Sequence, residues 1–600
     1  MFAKVFAPED FNSVVDEHCS KRDRLSPAVV ASLVAPKEWR KIPAAVEAVR
    51  EEARKFERFK VWDLKEVREK SAVMAQARKE QKEVNFGFIF SICSRKHSED
   101  PSRAMWKGRL VFSGHRITDQ VHAQTFFNDV SSAPVSMAAC RAFVLAGMRK
   151  GYTTRVADVT AAYLQANMDL PRDVVTWAEL PAELVPPEWA HMKTPVVPLR
   201  KAVYGHPMSG LLWERRLEKV LFAQGWSCIE GWPSAYVHKA SGCCMAIYVD
   251  DIICSGPERA VKERLQALRS EIIMDEDTPL QRYLGCEYVV TKERGKTRLL
   301  TQMKAFLQQC LERYDLAVDS AIKKHGSTPH LVSLQKRAGA DTPFLPDQRP
   351  LYNQELAEGA LKNDASSLLM KLLYACRLAR PDLLKATTTL AQFVSRWSVA
   401  HDLATRRLFA YVSSTLDLAL VGEVADEDKL EQHVYADSDF ASCLDTRRST
   451  TGVWQEAITY CGDSPCSFPL TWTSSRQNAI SYSTPEAEIV AACHATNKHF
   501  LPMMTLLEHL LGRSNFAKVA FQDNTVAEKS LSDGKSSFAC NLARTHDVSL
   551  KSVAEVIQRE GIQVRRAETS AMKADVFTKA FGSLSKWKQA VDHIGLVKVQ

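Results

Sequence analysis

The sequence has no long apolar run and no closely spaced cysteine pair. No stretch of 18 or more apolar residues occurs among its 600 residues, so we expect no transmembrane helix. The first residues lack the apolar core of a secretory signal, so we expect no signal peptide. The 15 cysteines are scattered, without a Cys-x-x-Cys pair or the Cys/His spacing of a zinc site. This argues against structural zinc and favours free thiols in a reducing compartment.

The composition is typical of a soluble globular protein with several domains. Hydrophobic residues make up 46% of the chain and charged residues 25%. The length exceeds what one hydrophobic core holds, so we expect roughly two to four domains. Most charge runs are solvated faces, and the net charge of +8 permits a polyanionic partner without proving one.

Hydrophobic patterning changes along the chain. Residues 1–37 are weakly patterned and predict a loosely attached tail, whereas residues 353–420 are strongly helical. Residues 317–350 contain four prolines and predict a linker rich in loops. Strands and helices alternate again from His433 almost to the last residue.

Two apolar strand segments contain aspartates. Asp158 ends one of them, and the adjacent Asp250 and Asp251 interrupt the other. Neighbouring carboxylates repel each other and are costly to take out of water, so a divalent cation or a cationic partner would stabilise them. A turn that leaves the Asp-Asp pair in water is the alternative.

The three aspartates differ in what they can contact. Successive side chains of a strand point to opposite faces, so Asp250 and Asp251 cannot face one metal ion equally. We assign Asp158 and Asp250 to the metal and give Asp251 a supporting role. Mg²⁺ suits such a site because it takes few protein carboxylates and leaves room for phosphate oxygens and water.

The segments around these aspartates resemble a known family. Tyr248-Val249-Asp250-Asp251 is similar to the catalytic hairpin of reverse transcriptases. Further motifs resemble those of copia-type retrotransposon polyproteins, namely Lys107-Gly108-Arg109-Leu110-Val111, Arg200-Lys201-Ala202-Val203-Tyr204-Gly205 with Trp213, Tyr283-Leu284-Gly285-Cys286-Glu287, Ser327-Thr328-Pro329 and Arg380-Pro381-Asp382. The order and spacing of the motifs make the match specific, and it covers residues 38–585.

By this resemblance the first site belongs to an RNA-directed DNA polymerase. Two Mg²⁺ ions, or Mn²⁺ ions, would activate the primer 3′ hydroxyl and stabilise the leaving pyrophosphate. Lys107 and Arg109 would hold the incoming triphosphate, and Tyr163 would exclude the ribose 2′-hydroxyl. The alternatives are a solvated surface pair for the two cations and a core residue for Tyr163.

Met208 differs from the family pattern. The family has Lys-Gln-Ala-Pro after its Leu-Tyr-Gly, whereas this chain has His206-Pro207-Met208-Ser209-Gly210. Met208 takes the place of a glutamine that helps to hold the nucleotide, and a thioether cannot donate a hydrogen bond. Either another group does this work or the polymerase is impaired.

A second set of acids lies in the C-terminal part. Asp437, Glu488, Asp523 and Asp575 each border an apolar strand or begin a helix, and they resemble the Asp-Glu-Asp-Asp set of the RNase H fold. Two metal ions there would hold the scissile phosphate and activate water. Two further segments strengthen the copia-type match, residues 445–452 and residues 544–547. Ordinary surface acids and helix caps are the alternative.

Two of these four acids have rivals nearby. Glu488 is preferred to Glu486 because Ala487-Glu488-Ile489 better fits the start of the helix in the family. Asp575 is preferred to Asp547 because it falls late enough to sit on the closing helix.

The predicted fold class is α+β. We expect a right-hand polymerase of fingers and palm over residues 38–330, a linker and helical connection over 331–430, and an α/β RNase H-like domain over 431–600. The resemblance implies an RNA template, a DNA primer, an RNA–DNA hybrid and deoxynucleoside triphosphates as partners, a part in DNA integration, and no membrane. It also implies a location in the cytoplasm, in a virus-like particle or in the nucleus.

Three functions remain open on the sequence. Aspartic-protease, integrase-zinc and zinc-knuckle motifs are absent, so we expect a partial polyprotein or a host-encoded remnant. The acids of both sites favour an active reverse transcriptase with ribonuclease H activity. Met208 and the missing modules favour a catalytically impaired remnant that binds nucleic acid. A ribonuclease on an inert scaffold would differ by its lack of primer extension.

Overall fold

The computed structural model describes residues 31–96, 105–125, 127, 134–337, 339–427, 429–536 and 542–599. Within these residues the protein is a mixed α/β structure whose strands form four sheets, in agreement with the mixed class that the sequence predicts. None of the helices described is long and apolar enough to cross a membrane.

The strands and helices are numbered in chain order. The strands are β1 (Ala31–Val34), β2 (Arg68–Glu69), β3 (Val84–Lys96), β4 (Met105–Phe112), β5 (Tyr152–Asp158), β6 (Val175–Glu179), β7 (Pro195–Pro198), β8 (Ser227–Ile229), β9 (Trp232–His238), β10 (Cys243–Tyr248), β11 (Asp251–Pro257), β12 (Thr278–Pro279), β13 (Arg282–Tyr283), β14 (Cys286–Glu293), β15 (Lys296–Gln302), β16 (Leu418–Ala425), β17 (Leu430–Asp439), β18 (Thr450–Cys461), β19 (Ser464–Arg476), β20 (Ala517–Gln522), β21 (Gln563–Arg566) and β22 (Leu596–Lys598). The α-helices are α1 (Pro36–Trp39), α2 (Pro43–Arg58), α3 (Lys70–Glu80), α4 (Met137–Gly147), α5 (Ser209–Ala223), α6 (Glu258–Arg269), α7 (Lys304–His325), α8 (Pro329–Gln335), α9 (Lys362–Leu378), α10 (Leu384–Ala391), α11 (Val399–Ser414), α12 (Thr484–Ala495), α13 (Leu501–Leu511), α14 (Thr525–Asp533), α15 (Leu542–Thr545), α16 (Leu550–Arg559) and α17 (Leu584–His593).

The first sheet carries the basic motif. Its strands run in the order β1-β3-β6-β7-β2, and β4 also pairs with β3. Along β4, Gly108, Leu110 and Phe112 are buried, whereas Lys107 and Arg109 are only partly buried. Because strand side chains alternate between faces, Lys107 and Arg109 share the more open face of β4.

The second sheet carries the three aspartates of the first predicted site. Its order is β12-β5-β11-β10-β9-β8, and β11 lies between β5 and β10 and is antiparallel to both. Helices α4 and α6 pack on this sheet. Apolar residues of these strands, such as Ile247, Ile252 and Ile253, are buried in the clusters on the two faces.

The third sheet is assembled from distant parts of the chain. Its order is β13-β14-β15-β16-β22, so a hairpin of residues 286–302 pairs with β16, and β16 pairs with β22. The helices α7, α9, α10 and α11 contribute to the large apolar cluster beside this sheet.

The fourth sheet carries the second predicted site. Its order is β19-β18-β17-β20-β21, with β20 parallel to both β17 and β21 and the remaining pairs antiparallel. Helix α12 packs against β17 and β18. The ends of β17 and β20 and the start of α12 therefore converge at one edge of this sheet.

A partly buried arginine connects the second and fourth sheets. Arg141 on α4 donates from Nε to the carbonyl of Leu470 on β19, at 2.7 Å, and from a terminal nitrogen to the carbonyl of Arg377, at 2.9 Å. Its guanidinium carbon lies 4.0 Å from the centre of the Trp472 ring. The two sheets that hold the predicted sites therefore pack directly together through α4.

The predicted linker is partly wrong, because residues 317–335 are largely helical. Helix α7 continues to His325, and α8 follows over Pro329–Gln335. Pro329 lies in the first turn of α8, where its missing N–H is not needed, and the Thr328 hydroxyl accepts a hydrogen bond from the Leu331 N–H at 3.3 Å. Of the predicted tail, residues 1–30 lie outside the described residues, and residues 31–34 form β1, paired with β3.

Candidate active sites

The first site is built on the turn between β10 and β11. Tyr248 pairs with Asp251 across the hairpin, and Asp251 pairs with Asp158 on β5. Val249 adopts the left-handed region at φ 63°, which is unfavourable for a β-branched residue. The Trp213 indole N–H donates to the Val249 carbonyl at 2.8 Å, so α5 fixes the turn from outside.

The backbone holds Asp250 beside the end of β5. The Val159 N–H donates to the Asp250 carbonyl at 2.8 Å. Asp250 and Asp251 are half-buried, and Asp158 is exposed. The site therefore presents one open carboxylate and two partly enclosed ones at the same edge of the second sheet.

The charges of the three carboxylates act on one another. Burial raises the pKa of Asp251 to about 7, with further contributions from the negative charges of Asp250 and Asp158. Burial also raises the pKa of Asp250, although the positive charges of Arg109 and Lys107 oppose that shift. A divalent cation would stabilise the ionised carboxylates in the same way as these two side chains.

The structure brings Lys107 and Arg109 towards this aspartate turn. Both influence Asp250 electrostatically from the open face of β4. Gly108 between them packs so closely on α2 that a Cβ atom would lie 2.5 Å from the Ala48 carbonyl oxygen and from the Val49 Cα. The glycine thus allows β4 to approach α2 while its basic neighbours face the other way.

The Gly108→Ala change is expected to destabilise the protein by about 1–3 kcal/mol, because the added methyl group meets backbone atoms that cannot turn aside. Urea denaturation followed by circular dichroism measures this loss. Gly151→Ala is a useful comparison, because no atom lies within 4 Å of the position that its added methyl group would take, although its φ of +78° adds strain of its own. Equal stability of the parent and Gly108→Ala would contradict the close packing of β4 on α2.

Tyr163 lies at the margin of the first site. It belongs to a short 3₁₀ segment, Ala162–Gln165, and its ring is 5.0 Å from that of Tyr204 in an edge-on arrangement. The side chain is half-buried. Burial raises its pKa, and the charge of Asp250 adds to the shift. Tyr163 is therefore a near neighbour of the aspartate turn as well as a packing residue.

Met208 is placed in the apolar interior. It is 4% exposed and belongs to the same apolar cluster as Leu212 and Trp213 of α5. Its backbone N–H donates to Nδ1 of His206 at 3.2 Å. The Met208 side chain, which replaces the family's glutamine, thus packs in the apolar core.

The second site gathers acids from separate elements of the fourth sheet. Asp437 lies near the end of β17 and is 1% exposed, Asp523 follows β20, and Asp575 lies in the 3₁₀ segment Lys573–Phe577. One carboxylate oxygen of each lies within 4.8 Å of the others. Within the described part of the chain, this is the one group of three such ligand atoms that could hold a metal ion.

Glu488 on α12 lies within the electrostatic influence of Asp437 and Asp523, although it is not one of the three residues of that group. It is 4% exposed, and its Oε2 has no hydrogen-bonding partner among the described residues. Burial raises its pKa to about 9, and the charges of Asp437 and Asp523 add to the shift. A buried carboxylate oxygen without a partner is costly, so the donor set fits a divalent cation that binds oxygen ligands.

The rival acids are occupied elsewhere. The Glu486 carboxylate accepts a hydrogen bond from the Tyr482 N–H at 2.8 Å and lies 3.7 Å from His546 Nε2. The Glu486 N–H in turn donates to the Ser483 hydroxyl at 3.3 Å, so Ser483 caps α12. Asp547 is exposed and has a φ of +53°. Neither acid belongs to the group of Asp437, Asp523 and Asp575.

Sequence reasoning missed two residues of the second site. The Thr578 hydroxyl donates to Asp437 Oδ2. The Lys579 ammonium lies 2.7 Å from Asp575 Oδ1 and 3.4 Å from Asp437 Oδ1. Asp575 and Lys579 are four residues apart, but Lys579 lies beyond the 3₁₀ segment of Asp575, so no local sequence pattern marked it as part of the site.

Comparisons with known proteins identify relatives of this chain. A family model described as reverse transcriptase (RNA-dependent DNA polymerase) matches residues 69–324. The retrovirus-related Pol polyprotein from transposon TNT 1-94 of Nicotiana tabacum is 24% identical over 491 residues, covering 81% of this chain and 34% of that protein. Residues 69–324 thus match the reverse transcriptase family, and most of the chain is similar to a retrotransposon Pol polyprotein.

Two further copia-type Pol polyproteins come from Arabidopsis thaliana. Those of transposons RE2 and RE1 are 24% and 23% identical, and each alignment covers 85% of this chain. The chain spans about a third of the length of these curated relatives. The predicted resemblance to copia-type Pol polyproteins is thus confirmed. The matched reverse transcriptase region contains the first site, and the second site lies beyond it.

Proposed function

We propose that this chain is an RNA-directed DNA polymerase with ribonuclease H activity, working at two separate metal sites. One observation carries the proposal. Asp158, Asp250 and Asp251 lie at one edge of the second sheet, and the positive charges of Lys107 and Arg109 on β4 act on Asp250 there. Primer extension on an RNA template in Mg²⁺ tests it. A pure, folded chain that extends no primer would contradict polymerase activity.

The proposed architecture follows the sites. We assign residues 38–330 to the fingers and palm, with the first sheet in the fingers and the second in the palm. Residues 331–430 form the connection, and residues 431–600 an RNase H-like domain. The mixed parallel and antiparallel fourth sheet, with acids at the ends of β17 and β20, supports the last assignment.

In the proposed polymerase reaction, Asp158 and Asp250 hold magnesium and Asp251 supports them. The bound metal supplies Lewis-acid activation of the primer 3′ hydroxyl and neutralises the pyrophosphate. Lys107 and Arg109 bind the triphosphate oxygens, which bear the charge that develops as the leaving group departs. The partners are an RNA template, a DNA primer and deoxynucleoside triphosphates.

In the proposed ribonuclease reaction, Asp437, Glu488, Asp523 and Asp575 hold the metal at an RNA–DNA hybrid. The unpartnered Oε2 of Glu488 and the mutual repulsion of these acids are what the cation would relieve. Metal binding supplies an activated water molecule and a place for the scissile phosphate. The four side chains orient the phosphate by fixing the cation from separate elements around the sheet.

A catalytically impaired remnant is the second candidate, and Met208 favours it. The side chain lies in the apolar cluster and provides no donor for a nucleotide. Such a protein would bind primer–template duplexes but extend none. For either candidate we propose a location in the cytoplasm, in a virus-like particle or in the nucleus, as for a retrotransposon protein.

Replacing Tyr163 with valine is expected to raise ribonucleotide incorporation relative to deoxynucleotide incorporation. If the ring packs under the sugar of the incoming nucleotide, it leaves no room for a 2′-hydroxyl, and removing it relieves that clash. The change in relative kcat/KM should be on the order of a hundredfold. Steady-state single-nucleotide incorporation, with thermal unfolding measured alongside, gives the ratio.

The packing role of Tyr163 predicts a different result. Loss of a large side chain from the palm would lower use of both nucleotides alike and reduce the melting temperature. Tyr204→Phe is a matched control, since it keeps the neighbouring ring in place. An unchanged ratio in a folded, active Tyr163→Val protein would remove Tyr163 from the nucleotide site.

A further inference from the structure

Lys579 is the cation nearest to the acids of the second site among the described residues. Its ammonium lies 2.7 Å from Asp575 Oδ1 and 3.4 Å from Asp437 Oδ1, so it contacts two of the proposed metal ligands at once. The other buried lysine–acid pairs nearby contact acids outside the cluster, as Lys385 does with Asp439 and Lys573 does with Glu456. Lys579 therefore has a place in the site itself.

The Lys579 backbone is held by a hydrogen bond, whereas its side chain is partly exposed to solvent. Its N–H donates to the Asp575 carbonyl at 2.9 Å, and the preceding Thr578 hydroxyl holds Asp437. The Lys579 side chain is nevertheless 38% exposed. A flexible four-carbon stem and a compact ammonium allow this group to leave the carboxylates without moving the backbone.

The charges explain why a cation is needed there. Four acids converge, and among the described groups that face them only Lys579 makes direct ion pairs with the cluster, whereas Arg566 influences Asp523 from farther away. An ammonium and a divalent ion need the same carboxylate oxygens. Either cation would offset the repulsion between Asp437 and Asp575, so the Lys579 ammonium and the divalent ion compete for these carboxylates.

We propose that Lys579 is a built-in counter-ion that occupies the carboxylates of Asp437 and Asp575 until a divalent cation displaces it. This inference rests on the proposed ribonuclease site. Lys579 is then a positioning residue that keeps the acid cluster assembled without metal and sets how tightly the metal binds. On displacement, the partly exposed ammonium is released toward solvent.

The test compares Lys579→Met with Lys579→Arg in the full chain. Mn²⁺ binding is measured by electron paramagnetic resonance, and the Asp437→Asn variant identifies the signal that comes from the second site. Because methionine removes the competing charge at similar volume, Mn²⁺ should bind Lys579→Met on the order of tenfold more tightly than the parent. Lys579→Arg keeps the charge and should bind Mn²⁺ within a few-fold of the parent.

Thermal unfolding gives a second measurement that needs no enzymatic activity. Without metal, Lys579→Met should melt several degrees below the parent, because the acids repel each other unopposed. Saturating Mn²⁺ should close that gap. Unchanged affinity and an unchanged metal-free melting temperature would overturn the proposal. A Lys579→Met chain that stays unfolded at saturating Mn²⁺ would overturn it too, since the metal should replace the missing cation.

Failure of this inference is distinguishable from failure of the proposed function. If the parent binds Mn²⁺ through Asp437 and cleaves a hybrid while Lys579→Met behaves identically, only the counter-ion role is wrong. If the parent shows no Asp437-dependent Mn²⁺ signal, the proposed ribonuclease site and the counter-ion role both fail.

Discussion

Replacing Asp250 with asparagine is expected to abolish DNA synthesis while leaving nucleic-acid binding nearly intact. Asp250 lies on the turn between β10 and β11, beside Asp251 and within the electrostatic influence of Lys107 and Arg109. An amide cannot supply the negative charge that a magnesium ion needs. The rate of primer extension should fall by about a thousandfold or more. Binding should persist because affinity for a duplex comes mostly from basic contacts with phosphates.

The measurement is primer extension on an RNA template, with fluorescence anisotropy of a labelled primer–template as the binding assay. Asp169→Asn is a matched control, because Asp169 is an exposed acid close to the same site in sequence. The control should extend primers at the parent's rate. Equal extension by Asp250→Asn and the parent would remove Asp250 from the metal site.

Replacing Glu488 with glutamine is expected to stop cleavage of the RNA strand in a hybrid and to leave primer extension working. The Glu488 carboxylate is buried against Asp437 and Asp523, and glutamine would keep its shape but lose its charge. Loss of a charged metal ligand should reduce cleavage by about a hundredfold or more. Because the two sites lie on different sheets, the changes should act nearly independently.

Glu486→Gln provides the control for this experiment, because it alters the neighbouring glutamate on the same helix. Glu486 accepts a hydrogen bond from the Tyr482 N–H and lies beside His546, so Glu486→Gln should lower the free energy of unfolding by about 1 kcal/mol and preserve cleavage. Hydrolysis of a labelled hybrid and thermal unfolding separate the two effects. Normal cleavage by Glu488→Gln together with loss of cleavage by Glu486→Gln would reverse our choice of glutamate.

The sequence was most informative where the chemistry is local. Adjacent Asp250 and Asp251 between apolar strand residues indicated a hairpin, and β10 and β11 form one. The preference for Glu488 over Glu486 rested on where the helix begins. In the structure the charges of Asp437 and Asp523 act on Glu488, whereas the Glu486 carboxylate accepts a hydrogen bond from the Tyr482 N–H. The catalytic roles of these residues stay predictions that the experiments above must test.

The sequence was less informative where two contacting segments lie far apart in the chain. The pairing of β16 with β15 and β22 depends on segments that no local pattern connects. Lys579 was missed because the acids alone were considered, and the cation that lies among them carries no motif of its own. Pro329 was read as a loop signal, although a proline in the first turn of a helix is well tolerated.

The third sheet has a consequence for how the protein is made. Its strand β16 has β15 on one side and β22 on the other, so β16 keeps an open edge until residues 596–598 arrive. A nascent chain emerges from the ribosome in order and folds its earlier parts first. The strands around Leu300 and Leu420 can therefore assemble early, but the sheet is finished only after Leu596 has left the exit tunnel. A chain cut anywhere between β16 and β22 would expose that edge to other newly made chains.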